Sequence, residues 1–131
     1  MAAIDARRAL ELVRTRFRPQ GRAPEMGLDC VGMCLAAYHI PTEQVRRDYR
    51  LRGDHRDEVM TSLLCWFRRV GKKQARAGDL LLLAVAENQL HLAVRTADGF
   101  VHADAGLRRV VETPGTPPWP LIGVYRKRTR K

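Results

Sequence analysis

The hydrophobic and polar positions of the first 40 residues predict two helices joined by a loop. Apolar residues recur at helical spacing over residues 6–17, and residues 28–39 form an almost wholly apolar second helix. Residues 18–27 between them are rich in proline and glycine and predict the loop. Pro41 ends the second helix, whose composition indicates a central, buried position. Asp29 stands at its start, where an aspartate caps free backbone N–H groups.

The middle of the chain predicts two further helices. Residues 42–49 fit a short basic helix, and residues 57–70 fit a longer one that ends at Gly71. The apolar face of the longer helix is formed by Met60, Leu63, Leu64 and Phe67. We interpret this apolar face as part of the hydrophobic core.

The pattern then changes to short apolar runs separated by turn residues, which is typical of strands. The predicted strands cover residues 79–85, 90–95, 99–103, 108–111 and 121–125. Proline-rich residues 114–120 form a loop that cannot join a central sheet, and for Trp119 within it we prefer core packing over contact with a partner. Helices followed by an antiparallel meander predict an α+β fold.

Length and composition fit one globular domain that comprises residues 1–131, with flexible ends at 1–5 and 127–131. Hydrophobic residues make up 45% of the chain and charged residues 29%, and no run of about 18 apolar residues predicts a membrane span. The N-terminus is charged where a secretory signal is apolar. We therefore expect synthesis in the cytoplasm and, for any action outside, a carrier.

The formal net charge of +10 favours a polyanionic partner. Three classes of partner carry such a charge: nucleic acid, an anionic cell envelope and an acidic protein. The net charge is equally consistent with a basic, solvated surface that has no dedicated partner. The aromatic content of 6% disfavours base stacking and hence nucleic acid.

The three cysteines do not form a disulfide framework, because their number is odd and their spacing does not repeat. Cys30 and Cys34 lie on the same face of the predicted helix. No C-x-x-C pair supports zinc, so neither a metal nor a cofactor is predicted. For Cys34 and Cys65 we prefer the role of small buried hydrophobes.

Cys30 is different because it occupies the first turn of a buried helix. The free N–H groups there stabilise a thiolate and receive an oxyanion, and thiolate attack requires a nearby base. His91 and His102 lie on consecutive predicted strands, and a hairpin between these strands brings them to one face. His102 then orients His91, which gives a Cys-His-His triad. His39 and His55 are interpreted as structural residues.

Four segments together resemble the NlpC-type cell-wall peptidases, which are papain-like cysteine peptidases. The segments are residues 27–32 (GLDCVG), 78–82 (GDLLL), 91–94 (HLAV) and 100–103 (FVHA). The resemblance covers residues 17–125 and is nearest to short members carried by phages and gene transfer agents at the tail tip or hub. Residues 16–22 and 49–53 also resemble that subgroup.

The resemblance implies an NlpC fold and cleavage of peptidoglycan stem peptides at a D-glutamyl–diaminopimelate bond. It assigns Cys30 as nucleophile, His91 as base, His102 as orienting residue and the backbone N–H of Cys30 to the oxyanion hole. Asp29 caps the helix or binds a substrate amine, of which we prefer capping. Val31 replaces a common serine with little effect expected.

A second departure from the family concerns the oxyanion hole. Phe17 stands where many members have a tyrosine hydroxyl, and Arg18 or Gln20 is the replacement donor in reach. Loss of one such donor costs about 3 kcal/mol of transition-state stabilisation. If neither residue supplies this donor, activity is expected to be low or restricted to particular substrates.

The resemblance also implies partners and a location: tail hub or tip proteins of a phage-like particle, and action in the periplasm or cell wall. Three alternatives stay open. The first is a weakly active or inactive structural tail protein, and the second a cysteine-dependent acyltransferase or amidase of the same fold. The third, a nucleic-acid-binding protein, is motivated by charge alone.

Overall fold

The computed structural model describes residues 2–19, 21–44, 62–86 and 89–128. Within these ranges the chain forms the helices α1 (Ala2–Glu11) and α2 (Cys30–Tyr38), a helical turn at residues 62–64, and short 3₁₀ turns at Thr42–Gln44 and Lys72–Gln74. The strands are β1 (Arg22–Ala23), β2 (Gly27–Leu28), β3 (Phe67–Val70), β4 (Leu80–Ala86), β5 (Gln89–Arg95), β6 (Gly99–Asp104), β7 (Arg109–Pro114) and β8 (Leu121–Lys127).

The described residues form one sheet of six strands in the order β3-β8-β4-β5-β6-β7, and all neighbours in it are antiparallel. Strands β4 to β7 form the predicted meander, while β8 returns to pair with β4 on the other side. β1 and β2 form a separate two-stranded ribbon. This arrangement of helices and antiparallel sheet confirms the α+β fold.

Helix α2 packs on one face of the sheet and is buried along almost its whole length. Leu90, Leu92 and Val94 of β5 join the core on this side, whereas Ala93 belongs to a smaller cluster on the other face. The period of two along a strand explains the division, because successive side chains point to opposite faces. The same alternation places His91 on the second face.

Helix α1 is shorter than the sequence suggests, so the helix predicted over residues 6–17 is wrong beyond Glu11. The chain instead runs along the outer edge of β7, where Arg14 N–H donates to Val110 O at 2.8 Å and Phe17 N–H donates to Arg108 O at 3.0 Å. Arg14 has φ +82°, which is incompatible with a continued helix. Pairing with the sheet edge thus replaces helical hydrogen bonds that local spacing alone favoured.

The helix predicted over residues 57–70 is also wrong at its end, because residues 67–70 form β3 and pair with β8. The spacing of three between Phe67 and Val70 suits one face of a helix. In the strand these two side chains pack into the clusters on opposite faces of the sheet. Residues 57–61 and 45–49 of the predicted helices lie outside the described residues.

The chain ends differ in part from the expected flexible segments. Residues 2–5 form the first turn of α1, and Lys127 is the last residue of β8. In the ranges that the structure describes, no helix combines the length and the apolar character needed to cross a membrane.

A buried carboxylate ties α2, β4 and β8 together. Asp79 accepts hydrogen bonds from Nε and Nη2 of Arg126, both at 2.8 Å, and from the N–H of Arg76 at 2.9 Å. Next to it, the Tyr38 hydroxyl at the end of α2 donates to Gly78 O at 2.8 Å. These contacts fix the helix that carries Cys30 against the sheet.

We expect Asp79→Ala to lower the free energy of unfolding by about 2–3 kcal/mol, because it removes the acceptor of the Arg76 N–H and the carboxylate partner of Arg126, which keeps only Gln74 O at 3.3 Å. Urea denaturation followed by circular dichroism measures the loss. Arg128→Ala, on an exposed side chain next to the same strand, is the control and should change stability by less than about 0.5 kcal/mol. Equal effects of the two substitutions would contradict the role given to Asp79.

Candidate active site

The start of α2 is built by its cap and by close backbone packing. Asp29 has extended backbone angles (φ −97°, ψ −170°), and its Oδ1 accepts the N–H of Gly32 at 2.7 Å. This confirms the capping role and places Cys30 in the first turn. A Cβ at Gly32 would lie 1.9 Å from Gly21 O, so only glycine lets the loop before α2 reach it. Gly27 has φ +121°, a conformation that also favours glycine.

The two histidines of the predicted triad lie beside each other where β5 and β6 separate. Among the described residues these strands are in register only at Val94↔Val101 and Arg95↔Phe100, before they reach the histidines. Nε2 of His91 lies 2.8 Å from Nδ1 of His102, with the rings at 90° to each other. The expected hydrogen bond between the rings is therefore confirmed.

Cys30 and both histidines line one cavity of about 250 Å³. Phe17 and Asp29 contribute to its wall as well, so the cavity brings together five of the six site residues predicted from the sequence. The sixth, Gln20, lies outside the described residues. The other lining residues are Val85, Leu90, Ala103, Asp104, Ala105, Gly106 and Trp119. The five predicted residues come from the segment before α2, from the start of α2 and from strands β5 and β6, so the tertiary fold brings them together.

Trp119 forms an aromatic wall behind the histidines. Its ring centroid lies 5.8 Å from that of His91 and 5.7 Å from that of His102, in edge-to-face arrangements. Phe100 packs against both His102 and Trp119, at 5.1 and 6.3 Å. The proline-rich loop thus carries a half-buried tryptophan onto the second face of the sheet, where it packs as the core hypothesis predicted and also restricts the imidazole rings.

Burial keeps the nucleophile candidate and the base candidate neutral. It raises the pKa of the Cys30 thiol, with the charge of Asp29 adding to the effect and backbone N–H groups of Leu92 and Val31 opposing it. Burial, followed by the neighbouring His102, lowers the pKa of His91 to about 4. Burial also lowers the pKa of His102. At neutral pH the site therefore holds a thiol and an uncharged imidazole, a pair suited to general-base activation.

Asp104 is a site residue that sequence reasoning missed. It lines the cavity, and its negative charge raises the pKa of His91 and His102 against the effect of burial. Its Oδ1 accepts the N–H groups of Gly106 and Leu107 at 2.8 and 3.1 Å, which holds the carboxylate in place. The sequence suggested only a turn here, because an aspartate two residues before a glycine is typical of turns in general.

The remaining predicted residues take ordinary positions. Phe17 is half-buried in the cavity wall, Arg18 is exposed, and Cys34 is buried as expected. The prediction that Cys65 is buried is wrong, because it lies in the exposed turn before β3. Across the described ranges, no three His, Cys, Asp or Glu side chains are grouped as metal ligands would be.

Comparison with known proteins identifies the fold. No protein-family profile matches the chain, and no curated protein sequence matches it. Among solved structures, NlpC1 from Trichomonas vaginalis superposes with a TM-score of 0.71 at 15% identity, covering 98% of this chain and 45% of NlpC1. The NlpC/p60 domain of the peptidoglycan hydrolase SagA gives 0.62 at 20% identity, covering 87% and 89%.

The peptidoglycan hydrolase RipB from Mycobacterium tuberculosis gives a TM-score of 0.60 at 18% identity, covering 96% of this chain and 63% of RipB. The chain thus spans less than half of NlpC1 and nearly the whole of the SagA domain. At these identities the likeness establishes architecture: the chain has the NlpC/P60 fold.

Proposed function

We propose that this protein is a cysteine peptidase that hydrolyses peptidoglycan stem peptides, with Cys30 as nucleophile, His91 as base and His102 as orienting residue. The observation that carries the proposal is the cavity that all three side chains line, with the imidazole nitrogens 2.8 Å apart. The fold is shared with SagA and RipB, which are described as peptidoglycan hydrolases, and this supports the substrate class.

The hydrogen bond between the rings decides which nitrogen of His91 is the base. With its Nε2–H donating to Nδ1 of His102, His91 has an unprotonated Nδ1 that accepts the thiol proton. As Cys30 Sγ attacks the scissile carbonyl carbon, its proton moves to His91 Nδ1. The tetrahedral intermediate collapses, the C–N bond breaks, and the imidazolium returns the proton to the leaving amine. Water, deprotonated by His91, then hydrolyses the thioester and regenerates the thiol.

Two groups stabilise the charges that form in these steps, and two others hold the site in place. The oxyanion lies near the N-terminus of α2, where the N–H of Cys30 has no helical acceptor. The imidazolium of His91 is stabilised by the negative charge of Asp104, and the hydrogen bond to His102 holds the His91 ring in place. The Asp29 carboxylate, which accepts the N–H of Gly32, fixes the first turn of α2.

The finer assignments rest on the resemblance of the motifs. It favours a D-glutamyl–diaminopimelate bond as the scissile bond, and a phage-like or gene transfer agent tail as the carrier that brings the enzyme to the cell wall. Residues 16–22 support the tail assignment, together with residues 49–53, which lie outside the described residues. The partners are then tail hub or tip proteins.

A second candidate function follows from Phe17. This side chain lines the cavity next to Cys30 but has no hydroxyl to donate to an oxyanion. A weakly active or inactive protein that serves as a structural tail component would tolerate that loss. The two candidates differ in whether the cavity turns over substrate.

Digestion of purified peptidoglycan and of a synthetic stem tetrapeptide tests the proposal, with products read by mass spectrometry in reducing buffer. We expect fragments whose masses correspond to cleavage after the D-glutamyl residue. Cleavage at another peptide bond would correct the bond and keep the enzyme class. No cleavage of either substrate between pH 5 and 9 would favour the structural candidate.

Trp119→Ala should lower kcat for the tetrapeptide by about tenfold with little change in KM, because the imidazole rings lose the wall that orients them. Trp119→Phe, which keeps an aromatic ring, should recover most of the loss. Steady-state kinetics measures both. An equal loss in the two variants, or a loss confined to KM, would contradict a positioning role for this ring.

A further inference from the structure

Backbone pairing places five exposed arginines from two distant segments at one edge of the sheet. Residues 14–17 pair with the start of β7, and Arg16 and Arg109 are directly opposite each other in an antiparallel bridge. The hydrogen bonds of Arg14 N–H to Val110 O and of Phe17 N–H to Arg108 O extend this pairing in both directions. We call this surface the arginine ridge; it consists of Arg14, Arg16, Arg18, Arg108 and Arg109.

The ridge is electrostatically unfavourable by itself. Like charges directly opposite on neighbouring strands repel, and Arg16 and Arg109 have that arrangement. In the described part of the chain, no ridge arginine forms a salt bridge with a carboxylate, so the repulsion is not relieved by an ion pair there. An external anion would relieve the repulsion, because arginine binds carboxylates through paired N–H donors.

The position of the ridge indicates which polyanion it binds. Phe17, between two ridge arginines, lines the cavity that contains Cys30, and so does Gly106, two residues before Arg108. Arg16 and Arg18 alternate with Phe17 along the extended segment, so a polymer held on the ridge lies on the surface adjacent to the cavity. Peptidoglycan stems carry free carboxylates along the same polymer that contains the scissile bond.

We propose that the arginine ridge is a binding surface for the carboxylate groups of peptidoglycan, which holds the insoluble network next to Cys30. This inference rests on the proposed function for its choice of polymer. Carboxylates spaced along the network engage several arginines at once, so that binding is multivalent. Because the arginines are exposed, added salt weakens the interaction.

The test is co-sedimentation with purified sacculi, freed of phosphate polymers, in a Cys30→Ala background that removes turnover. The ridge variant carries Arg16→Gln, Arg18→Gln, Arg108→Gln and Arg109→Gln. A matched control carries Arg68→Gln, Lys72→Gln, Lys73→Gln and Arg76→Gln, all at exposed positions away from the ridge. Each set removes four positive charges, so the net charge falls from +10 by the same amount in both.

We expect the ridge variant to bind sacculi about tenfold more weakly or worse, and the control within about twofold of the parent. Sacculi whose carboxylates have been amidated should bind the parent as weakly as native sacculi bind the ridge variant. Four Arg→Lys substitutions at the ridge, which keep the charge, should restore much of the binding. Circular dichroism confirms that each variant is folded.

Two outcomes would overturn the proposal. Equal losses in the ridge and control variants would mean that total charge, not this surface, determines binding. Unchanged sacculus binding with a selective loss of duplex DNA binding would assign the ridge to nucleic acid. Both measurements use a protein that cannot cleave, so failure of the ridge is distinguishable from absence of peptidase activity.

Discussion

Replacement of Cys30 by alanine is expected to abolish hydrolysis of the stem tetrapeptide, lowering kcat by about 10⁴-fold or more. A nucleophile that forms the covalent intermediate cannot be replaced by its neighbours, and losses of this size are typical when such a residue is removed. Cys30 is 2% exposed at the first turn of α2 and lines the cavity that contains both histidines. The measurement is single-turnover hydrolysis followed by mass spectrometry, with folding checked by circular dichroism.

Cys34 provides a matched control for this substitution. It is a second buried cysteine one turn further along the same helix, and it is not part of the cavity lining. Cys34→Ala removes the same atoms from the same helix and should leave kcat within about threefold, with a modest loss of stability from the small cavity it creates. If Cys34→Ala were as inactive as Cys30→Ala, the loss would reflect damage to α2, and Cys30 would lose its assignment as nucleophile.

The parts of the fold that follow from local sequence are those with strong, unambiguous patterns. α2 was predictable because an apolar run, an aspartate cap and a terminating proline agree, and β4 to β8 were predictable from apolar runs separated by turns. The structure of residues 12–17 and 67–70 was not predictable, because their apolar residues have the spacing of a helix face although the segments pair with strands. Hydrogen bonding to β7 and to β8 decides their structure, and such long-range pairing is not visible in a short window.

Some residues of the candidate site were predictable from the sequence, and others were not. Cys30, His91 and His102 were predictable because a cysteine at a capped helix start and two histidines on consecutive strands have few chemical uses together. Asp104 and Trp119 were not predictable as site residues. Their positions near the histidines depend on how the β6–β7 turn holds a carboxylate and on how a proline-rich loop crosses the sheet.

The arginine ridge has the same origin as the helix that was wrongly predicted beyond Glu11. An extended segment from residue 14 onward brings its arginines beside those of β7, whereas a helix would have distributed them along its solvent face. Strand pairing thus concentrates part of the net charge of +10 on one surface beside the cavity. Composition alone indicates that a binding partner would be negatively charged, and the tertiary structure indicates the surface on which it would bind.

The second large effect is expected from His91, whose pKa burial lowers to about 4. Because a lowered pKa means that the neutral imidazole predominates above it, kcat/KM should rise as the pH increases through about 4 and then stay level to pH 8. An unperturbed histidine would place this rise near pH 6.5. His91→Ala should lower kcat about 10³-fold across the plateau, since it removes the group assigned as the base.

The pH profile also distinguishes this mechanism from a preformed thiolate–imidazolium pair. In that case kcat/KM would fall again as the imidazolium loses its proton, and iodoacetamide would alkylate Cys30 rapidly at pH 6. Here alkylation at pH 6 should be slow, because burial raises the pKa of the thiol. At His91 the folded protein binds fewer protons than the unfolded chain between about pH 6.5 and 4, so the contribution of this residue to stability declines as the pH falls through this range. Circular dichroism at each pH separates that loss from the titration of the base, and a bell-shaped profile in fully folded protein would assign the ion pair instead.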